Sequence, residues 1–191
     1  FDTDHLRELT EAGISIVSNQ VQYSVLDHRP EYGMVEFCQQ HGIKLLCYAA
    51  VAGGFLSERY LGIPEPQEPL ENRSLVKYKL IIDDFGGWEL FQEVLQTLAK
   101  VAQKHRISLT NVATRYILEK EQVAGVIIGA RNAEHLEDNL KLFSFELDDQ
   151  DRELLESVLA KSRELEGDVY DLERDREGKH GRIMKYNLNR D

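Results

Sequence analysis

The sequence has few cysteines, no dinucleotide-binding glycine motif and no cluster with metal-ligand spacing. Cys38 and Cys47 are the only cysteines among 191 residues, and they do not form a Cys-x-x-Cys pair. This favours a reducing compartment over a disulfide framework. The histidines show no ligand spacing with the cysteines, so no metal site is predicted. The absence of Gly-x-Gly-x-x-Gly removes the main fingerprint of the doubly wound dinucleotide-binding fold.

Positive charge and long apolar runs are also scarce. The formal net charge of -11 argues against nucleic acid and anionic membranes as general partners, because both need a concentrated basic surface. No apolar run approaches the roughly 20 residues that span a bilayer, and the opening FDTDHLREL does not resemble a signal peptide. We therefore expect a soluble protein, with the compartment left open between the cytoplasm and an organelle stroma or matrix.

Short β-branched runs alternate with helix-forming segments along the chain. Strands are predicted over residues 14–21, 43–48 and 123–128. Residues 57–87, which contain prolines, are predicted to be a long loop. The periodicity and capping residues predict helices over residues 3–12, 30–42, 89–104, 132–143 and 148–163, with one more that begins at Ser108 or Thr110.

Strands that alternate with helices at this spacing indicate a parallel α/β sheet, because parallel neighbours need a helical crossover. Three strands cannot close a barrel. A (β/α)8 barrel usually takes about 250 residues, so this chain would supply the last three β/α units of such a pattern.

The segment GVIIGARNAEHLEDN, residues 125–139, changes from an apolar strand to a polar helix within three residues. A helix N-terminus leaves backbone N–H groups unpaired and attracts phosphate. Arg131 adds a planar charged fork that suits two phosphate oxygens, and Asn132 is a capping residue. The sequence therefore predicts a phosphate site at Arg131. A solvated arginine or a salt-bridge partner is the alternative.

Four ordered segments together resemble the C-terminal half of an aldo-keto reductase over residues 1 to about 160. They are VSNQVQY (17–23), LCYAAVAGGFL (46–56), VATRYIL (112–118) and VIIGARNAEHLEDN (126–139). The resemblance implies the C-terminal part of a (β/α)8 TIM barrel, its last three β/α units, that binds NADP(H) at the carboxyl ends of its strands. The full-length protein is then expected to be an NADPH-dependent enzyme that reduces small carbonyl compounds.

The resemblance also implies a role for particular residues. Gln20 is expected to hydrogen-bond the nicotinamide carboxamide, and Tyr48 to stack on the nicotinamide ring. The stretch that contains Ala49, Val51 and Gly53 resembles the segment that wraps the pyrophosphate. The family often has Ser and Pro where this chain has Ala49 and Ala50, so a hydroxyl contact is expected to be absent.

The same resemblance assigns the adenosine end of the cofactor to the third strand and the helix after it. Arg131, just after Gly129, is expected to hold the 2'-phosphate. The residues expected near the adenine and ribose are His135, Asp138 and Asn139. The family more commonly shows Gln and Glu where His135 and Asp138 stand. Without the resemblance, each of these side chains would be interpreted as a structural or solvated residue.

The chain is expected to lack the acid-base residues of the reaction. In the family, the proton-donating tyrosine and its aspartate, lysine and histidine companions come from the first strands of the barrel, so no catalytic residue is assigned here. Trp88, after the long loop, is a candidate substrate contact, although a packing role is the commoner one. The expected partners are a carbonyl substrate and either the N-terminal half of the barrel or a partner chain.

The C-terminal residues differ in composition from the rest, which divides the chain into a half-barrel at residues 1–163 and a charged tail or arm at residues 164–191. An exposed tail is one interpretation. The alternation of Met184, Tyr186 and Leu188 instead allows a strand or arm on a partner. For the whole chain, the alternatives to a reductase part are a non-catalytic half-barrel subunit and a domain-swapped dimer.

Overall fold

Three parallel strands form the centre of the molecule. The structure is a computed structural model that describes residues 1–67, 69–129, 133 and 135–184. The strands are β1 (Ser18–Gln22), β2 (Lys44–Tyr48) and β3 (Val123–Val126), in the order β1-β2-β3. The parallel α/β arrangement expected from the sequence is confirmed. β1 is shorter than the predicted strand: residues 14–17, predicted to belong to it, lie before its first residue.

Helices precede, connect and follow the strands along the chain. Their bounds are α1 (Thr3–Glu11), α2 (Met34–His41), α3 (Arg73–Phe85), α4 (Trp88–His105), α5 (Leu109–Leu118), α6 (Leu136–Leu140), α7 (Asp149–Leu159), α8 (Asp171–Arg174) and α9 (Lys179–Arg182). Short 3-10 turns lie at Arg29–Glu31, Ala52–Gly54, Glu58–Tyr60 and Lys141–Phe143. The predicted helix over residues 30–42 is therefore divided in two, and Gly33 with φ of 122° stands at the break.

Side-chain caps explain where several helices begin. The Asp2 side chain accepts the His5 backbone N–H at the start of α1, and the Ser108 side chain accepts the Asn111 N–H at the start of α5. Ser108, rather than Thr110, is thus the cap. Asp148 and Asp151 form a reciprocal capping box at α7. α7 ends at Leu159, four positions before the predicted end, and the predicted start of α6 at Asn132 lies outside the described residues.

The insertion after β2 contains a helix, so the prediction of a loop over residues 57–87 is wrong for its second half. α3 begins where the Asn72 side chain accepts the Leu75 N–H, at 3.1 Å, and it ends at Gly86. Its buried side chains are Leu75, Ile81, Ile82 and Phe85. The prolines lie before Asn72, and they obscured a helix that has both a cap and an apolar face.

The charged C-terminal segment packs against the rest of the chain, which corrects the expectation of an exposed tail for residues 164–184. Leu165 and Val169 belong to the hydrophobic core, and Glu173 and His180 are buried. Ion pairs also join the segment to other elements, from Arg174 to Asp2 and from Lys179 to Asp84. Tyr186 and Leu188, which the predicted strand or arm needs, lie outside the described residues, and the division at residue 163 stays a prediction.

Buried side chains of the strands and of helices α1 to α5 and α7 form the core. It includes Val21, Leu45 and Cys47 from the strands and an aromatic group of Phe55, Phe91 and Trp88. Burial raises the pKa of Cys38 to about 11 and that of Cys47 to about 12, so neither thiol is ionised near neutral pH. No helix within the described ranges has the length and apolar character needed to cross a membrane.

Candidate functional site

Gln20 and Tyr48 lie on the same face of two neighbouring parallel strands. In the register of β1 and β2, Gln20 faces Leu46 and Gln22 faces Tyr48. Side chains two residues apart share a face of a strand, so Gln20, Gln22 and Tyr48 line one face near its carboxyl edge. Gln20 is exposed, Tyr48 is partly buried and Gln22 is buried. The structure thus brings together the two side chains that the sequence assigned to one ring.

The backbone directly after β2 makes a tight turn with left-handed residues. Ala49 has φ of 62°, Ala52 of 46° and Gly53 of 65°, and the Ala52 N–H donates to the Ala49 carbonyl at 2.8 Å. A Cβ placed on Gly53 would lie 2.7 Å from Cδ2 of Tyr78, closer than carbon atoms normally approach. Glycine is therefore required at position 53 by both its φ and its neighbour. Val51 accepts the backbone N–H groups of Gly54 and Leu56, so its carbonyl is already used.

A buried ion cluster stands beside these strand ends. Arg29 is fully buried, and its guanidinium donates to both carboxylate oxygens of Asp27, from Nε at 2.9 Å and from Nη2 at 2.8 Å. It also donates to both oxygens of Glu173, at 3.0 and 3.2 Å. A guanidinium that forks onto two carboxylates keeps every charge paired away from water.

Lys77 of α3 connects this cluster to Tyr48. Its ammonium nitrogen lies 3.5 Å from Oε1 of Glu173 and 5.8 Å from the centroid of the Tyr48 ring. The distance and the partner are those of a cation–π contact. The Tyr170 hydroxyl donates to the Gln20 carbonyl at 2.7 Å, and the Tyr170 side chain contributes, after burial, to the raised pKa of Tyr48. The C-terminal segment therefore lies beside both expected nicotinamide residues.

Burial and neighbouring charges shift the pKa values of Tyr48, Lys77 and Glu173. Burial raises the pKa of Tyr48 well above its ordinary value, so the phenol stays protonated at physiological pH. Burial lowers the pKa of Lys77, and Glu173 opposes that change. Burial alone would raise the pKa of Glu173, but the hydrogen bonds and charge of Arg29, with the charge of Lys77, lower it to about 2.

Gln22 has a buried amide that is only partly used. Its Nε2 donates to Oδ2 of Asp27 at 2.5 Å, whereas its Oε1 has no hydrogen-bond partner within the described part of the chain. A buried carbonyl oxygen without a hydrogen-bond donor costs free energy of folding, so a hydrogen bond to this oxygen would stabilise the fold. This acceptor lies on the strand face that Tyr48 shares.

The residues expected at the adenosine end form a separate group around α6. Asp138 accepts hydrogen bonds from the Ser108 hydroxyl at 2.7 Å and the Asn111 amide at 3.2 Å, so its carboxylate already joins α6 to α5. The Asn139 backbone N–H donates to the His135 carbonyl, and the His135 side chain is exposed. Gly129, three residues after the end of β3, is exposed. Arg131, the predicted phosphate ligand, lies outside the described residues.

Trp88 is placed in the core and has little free surface. Its side chain packs against Phe55 and Phe91, with 9% of the residue exposed. Its indole N–H donates to the Ile63 carbonyl at 3.1 Å and so fixes the loop before α3. This is the packing role considered from the sequence, and a substrate contact of Trp88 stays a prediction.

Local sequence patterns indicate the ion cluster only weakly. Asp27 and Arg29 follow an apolar stretch and stand two residues apart, which is a weak signal of a buried pair. Their partner Glu173 comes from a segment rich in charges, where no single glutamate stands out. Only the fold shows that these charges meet beside Tyr48.

Comparison with known proteins gives the family. Residues 1–160 match the model of the aldo/keto reductase family, and the chain belongs to this family. Flagellar radial spoke protein 5 of Chlamydomonas reinhardtii is 32% identical over 122 residues, which are 62% of this chain and 23% of that protein. L-glyceraldehyde 3-phosphate reductase of Escherichia coli O157:H7 is 29% identical over 139 residues, which are 70% of this chain and 38% of that enzyme.

Solved structures show the same fold. A thermostable aldo-keto reductase in complex with the inhibitor epalrestat is 26% identical, with a TM-score of 0.58 over 83% of this chain and 46% of its own. The glycerol dehydrogenase of Gluconobacter oxydans, 18% identical, aligns with a TM-score of 0.70 over 88% of this chain and 49% of its own. The chain thus spans about half the length of these structures and a quarter to a half of the curated relatives.

Proposed function

We propose that this chain is the NADP(H)-binding part of an oxidoreductase that reduces aldehydes or ketones to alcohols, formed by the last three β/α units of a (β/α)8 barrel. The observation that carries the proposal is the pair Gln20 and Tyr48, which share one face at the carboxyl ends of adjacent parallel strands. Ligands of parallel barrels bind at these strand ends. Membership in the aldo/keto reductase family, whose members generally use nicotinamide cofactors on carbonyl substrates, supports the proposal.

The residues present fit a nicotinamide ring. The exposed Gln20 amide offers a donor and an acceptor to a carboxamide, and the Tyr48 ring offers a flat face. The left-handed turn that contains Ala49, Val51 and Gly53 presents backbone at close range, where a pyrophosphate can approach.

The other end of the cofactor is assigned to the segment after β3. Arg131 holds the adenosine 2'-phosphate, which selects NADP(H) over NAD(H), and Gly129 leaves room beside it. His135 and Asn139 lie near the adenine and ribose. Asp138 contributes indirectly, because its carboxylate already ties α6 to Ser108 and Asn111.

The chain binds and orients, and it does not move the proton. When bound, the nicotinamide supplies the hydride for the carbonyl carbon. The Tyr48 hydroxyl is a poor acid here, since burial raises its pKa well above the ordinary value. The acid that protonates the carbonyl oxygen is therefore assigned to a part of the barrel outside this chain.

A second candidate is a non-catalytic half-barrel subunit that pairs with a partner chain. One observation favours it: the chain is 32% identical over 122 residues to a relative that carries the name flagellar radial spoke protein 5. A domain-swapped dimer of two such halves is a variant of this proposal.

The two candidates are separated by the coding sequence upstream of Phe1 and by the assay of the protein it encodes. A reductase requires five further β/α units with a tyrosine, lysine, histidine and aspartate, and the protein should oxidise NADPH in the presence of small aldehydes. A subunit should lack this turnover and be recovered with another chain. Turnover by residues 1–191 alone would contradict the placement of the acid outside the chain.

A further inference from the structure

The first turn of α5 contacts two segments that are far apart in the sequence. One is the turn after β2, here residues 49–58, and the other is α6. The helix is fixed in the core by its buried apolar side chains, which are Leu109, Val112, Ala113, Tyr116 and Ile117. A rigid element that contacts both segments can set the distance between them.

Two hydrogen bonds join the first turn of α5 to the turn after β2. The Thr110 hydroxyl donates to the Leu56 carbonyl at 3.0 Å. The Leu109 N–H donates to Oε1 of Glu58 at 2.7 Å. The Leu56 N–H donates in its turn to the Val51 carbonyl at 3.2 Å. The backbone around Val51, which is proposed to wrap the pyrophosphate, is therefore tied to α5.

Asp138 joins the same turn of α5 to α6. The Asn111 amide nitrogen donates to the Asp138 backbone carbonyl at 2.9 Å and to its Oδ2 at 3.2 Å. The Ser108 hydroxyl donates to the same Oδ2 at 2.7 Å. Asn111 is only 3% exposed, so water competes little for these hydrogen bonds. The helix that is proposed to lie along the adenosine is therefore tied to α5 as well.

Carboxylates of the protein occupy the N-terminal end of α5. Glu58 accepts a first-turn N–H, and Asp138 accepts from the cap Ser108 and from Asn111. A helix N-terminus attracts negative charge, and here both charges come from the two segments that flank the cofactor site. This end of α5 therefore holds the two segments together and acts on the cofactor through them.

We infer that the first turn of α5 sets the distance between the pyrophosphate part and the adenosine part of the cofactor site, with Thr110 and Asn111 as positioning residues. The inference rests on the proposed function, because both segments are those assigned to NADP(H). A ligand that contacts two segments at once loses affinity when their spacing changes, whereas a ligand that contacts one segment keeps its affinity. The expected signature is a loss of affinity for the whole dinucleotide without a loss for its adenosine half.

The test is calorimetric titration with NADPH and, separately, with adenosine 2'-monophosphate. Thr110→Val removes the hydrogen bond to the turn after β2, and Asn111→Ala removes the side-chain bonds to α6. Both variants should bind NADPH about threefold to tenfold more weakly than the parent protein and bind adenosine 2'-monophosphate within about twofold of it.

Thr114→Val is the matched control. The Thr114 hydroxyl donates to the Thr110 carbonyl at 2.8 Å, so this change removes a hydroxyl hydrogen bond one turn further along α5 without loosening either segment. Its affinities for both ligands should equal those of the parent. Hydrogen exchange checks that each change acts where intended: amide exchange should rise over residues 51–56 in Thr110→Val and over residues 136–140 in Asn111→Ala.

The outcomes separate the positioning role from the cofactor site itself. Equal losses for NADPH and adenosine 2'-monophosphate, or NADPH affinities that match Thr114→Val, would overturn the positioning role alone. A parent protein that binds neither ligand would show that the proposed cofactor site is wrong, and the inference would fall with it.

Discussion

Arg29 and Glu173, 144 positions apart in the sequence, form a two-point ion pair with nitrogen–oxygen distances of 3.0 and 3.2 Å. The pair joins the segment after β1 to α8 and stands beside Tyr48. It therefore links the C-terminal segment to the edge where the cofactor is proposed to bind.

Replacement of the buried guanidinium should cost much more stability than replacement of an exposed one. Arg29→Met leaves the carboxylates of Asp27 and Glu173 without their main partner, so we expect the free energy of unfolding to fall by about 3–5 kcal/mol. Arg182→Met, at an exposed site with its partner 4.0 Å away, should change it by about 0.5 kcal/mol or less. Urea unfolding monitored by circular dichroism measures both, and equal losses would contradict the buried pairing.

Stability should fall in acid because of Glu173. Its pKa is about 2 in the folded protein against an ordinary value of 4.5, because Arg29 and Lys77 stabilise the carboxylate more than burial disfavours it. A lowered pKa contributes stability that is complete above 4.5 and is lost as the pH falls through 2. Urea midpoints between pH 6 and pH 2 should therefore decline less in Glu173→Gln than in the parent. A parallel decline in both proteins would refute this.

The turn after β2 should not tolerate a side chain at Gly53. Gly53→Ala places a Cβ 2.7 Å from Tyr78 on a backbone with φ of 65°. Gly42, with φ of 67° and no atom within 4 Å of an added Cβ, is the matched control, because it has the backbone strain without the clash. Both changes should destabilise by about 1 kcal/mol from strain, with a further loss of about 1–2 kcal/mol in Gly53→Ala. Thermal unfolding measures the difference in stability between Gly53→Ala and Gly42→Ala. Equal losses would contradict the close approach of Tyr78 to Gly53.

The Tyr48 ring, rather than its hydroxyl, should determine cofactor affinity. Tyr48→Phe keeps the flat face and removes only the hydroxyl, so NADPH should bind about as tightly as it does to the parent protein. Tyr48→Ala removes the face and should weaken binding by about tenfold. Tyr32→Ala, at a tyrosine that is 46% exposed, serves as the control. Calorimetric titration measures the affinities, and unchanged binding in Tyr48→Ala would contradict the stacking role.

The sequence predicted the parallel strands and the helices with clear signals. Ser108 and Gly42 stand at helix ends where capping rules place them, and the helix α4 follows its apolar spacing. α3 was missed although Asn72 and Gly86 bound it, because the prolines before it suggested an irregular segment throughout. Local patterns therefore identified the helices and strands except at α3, where loop-forming prolines stand directly before a helix cap.

The candidate site was predicted in part. The family resemblance predicted that Gln20 and Tyr48 act on one ring, and the register of β1 and β2 places both side chains on one face. The contacts of Glu173 with Arg29 and Lys77 join three distant segments, and no local pattern encodes them. The same holds for Asp138, which was expected near the cofactor and is found hydrogen-bonded to Ser108 and Asn111. Long-range pairing of charges depends on the completed fold.

The most direct test of the central claim is calorimetric titration of the protein and of Arg131→Ala with NADPH and NADH. A charged contact to the 2'-phosphate should make NADPH bind more tightly than NADH, and Arg131→Ala should weaken NADPH by about tenfold to hundredfold while NADH is unchanged. Arg59→Ala, at an exposed arginine that pairs with Glu71, should affect neither cofactor. Equal affinity for the two cofactors, or NADPH binding that survives Arg131→Ala intact, would contradict the account.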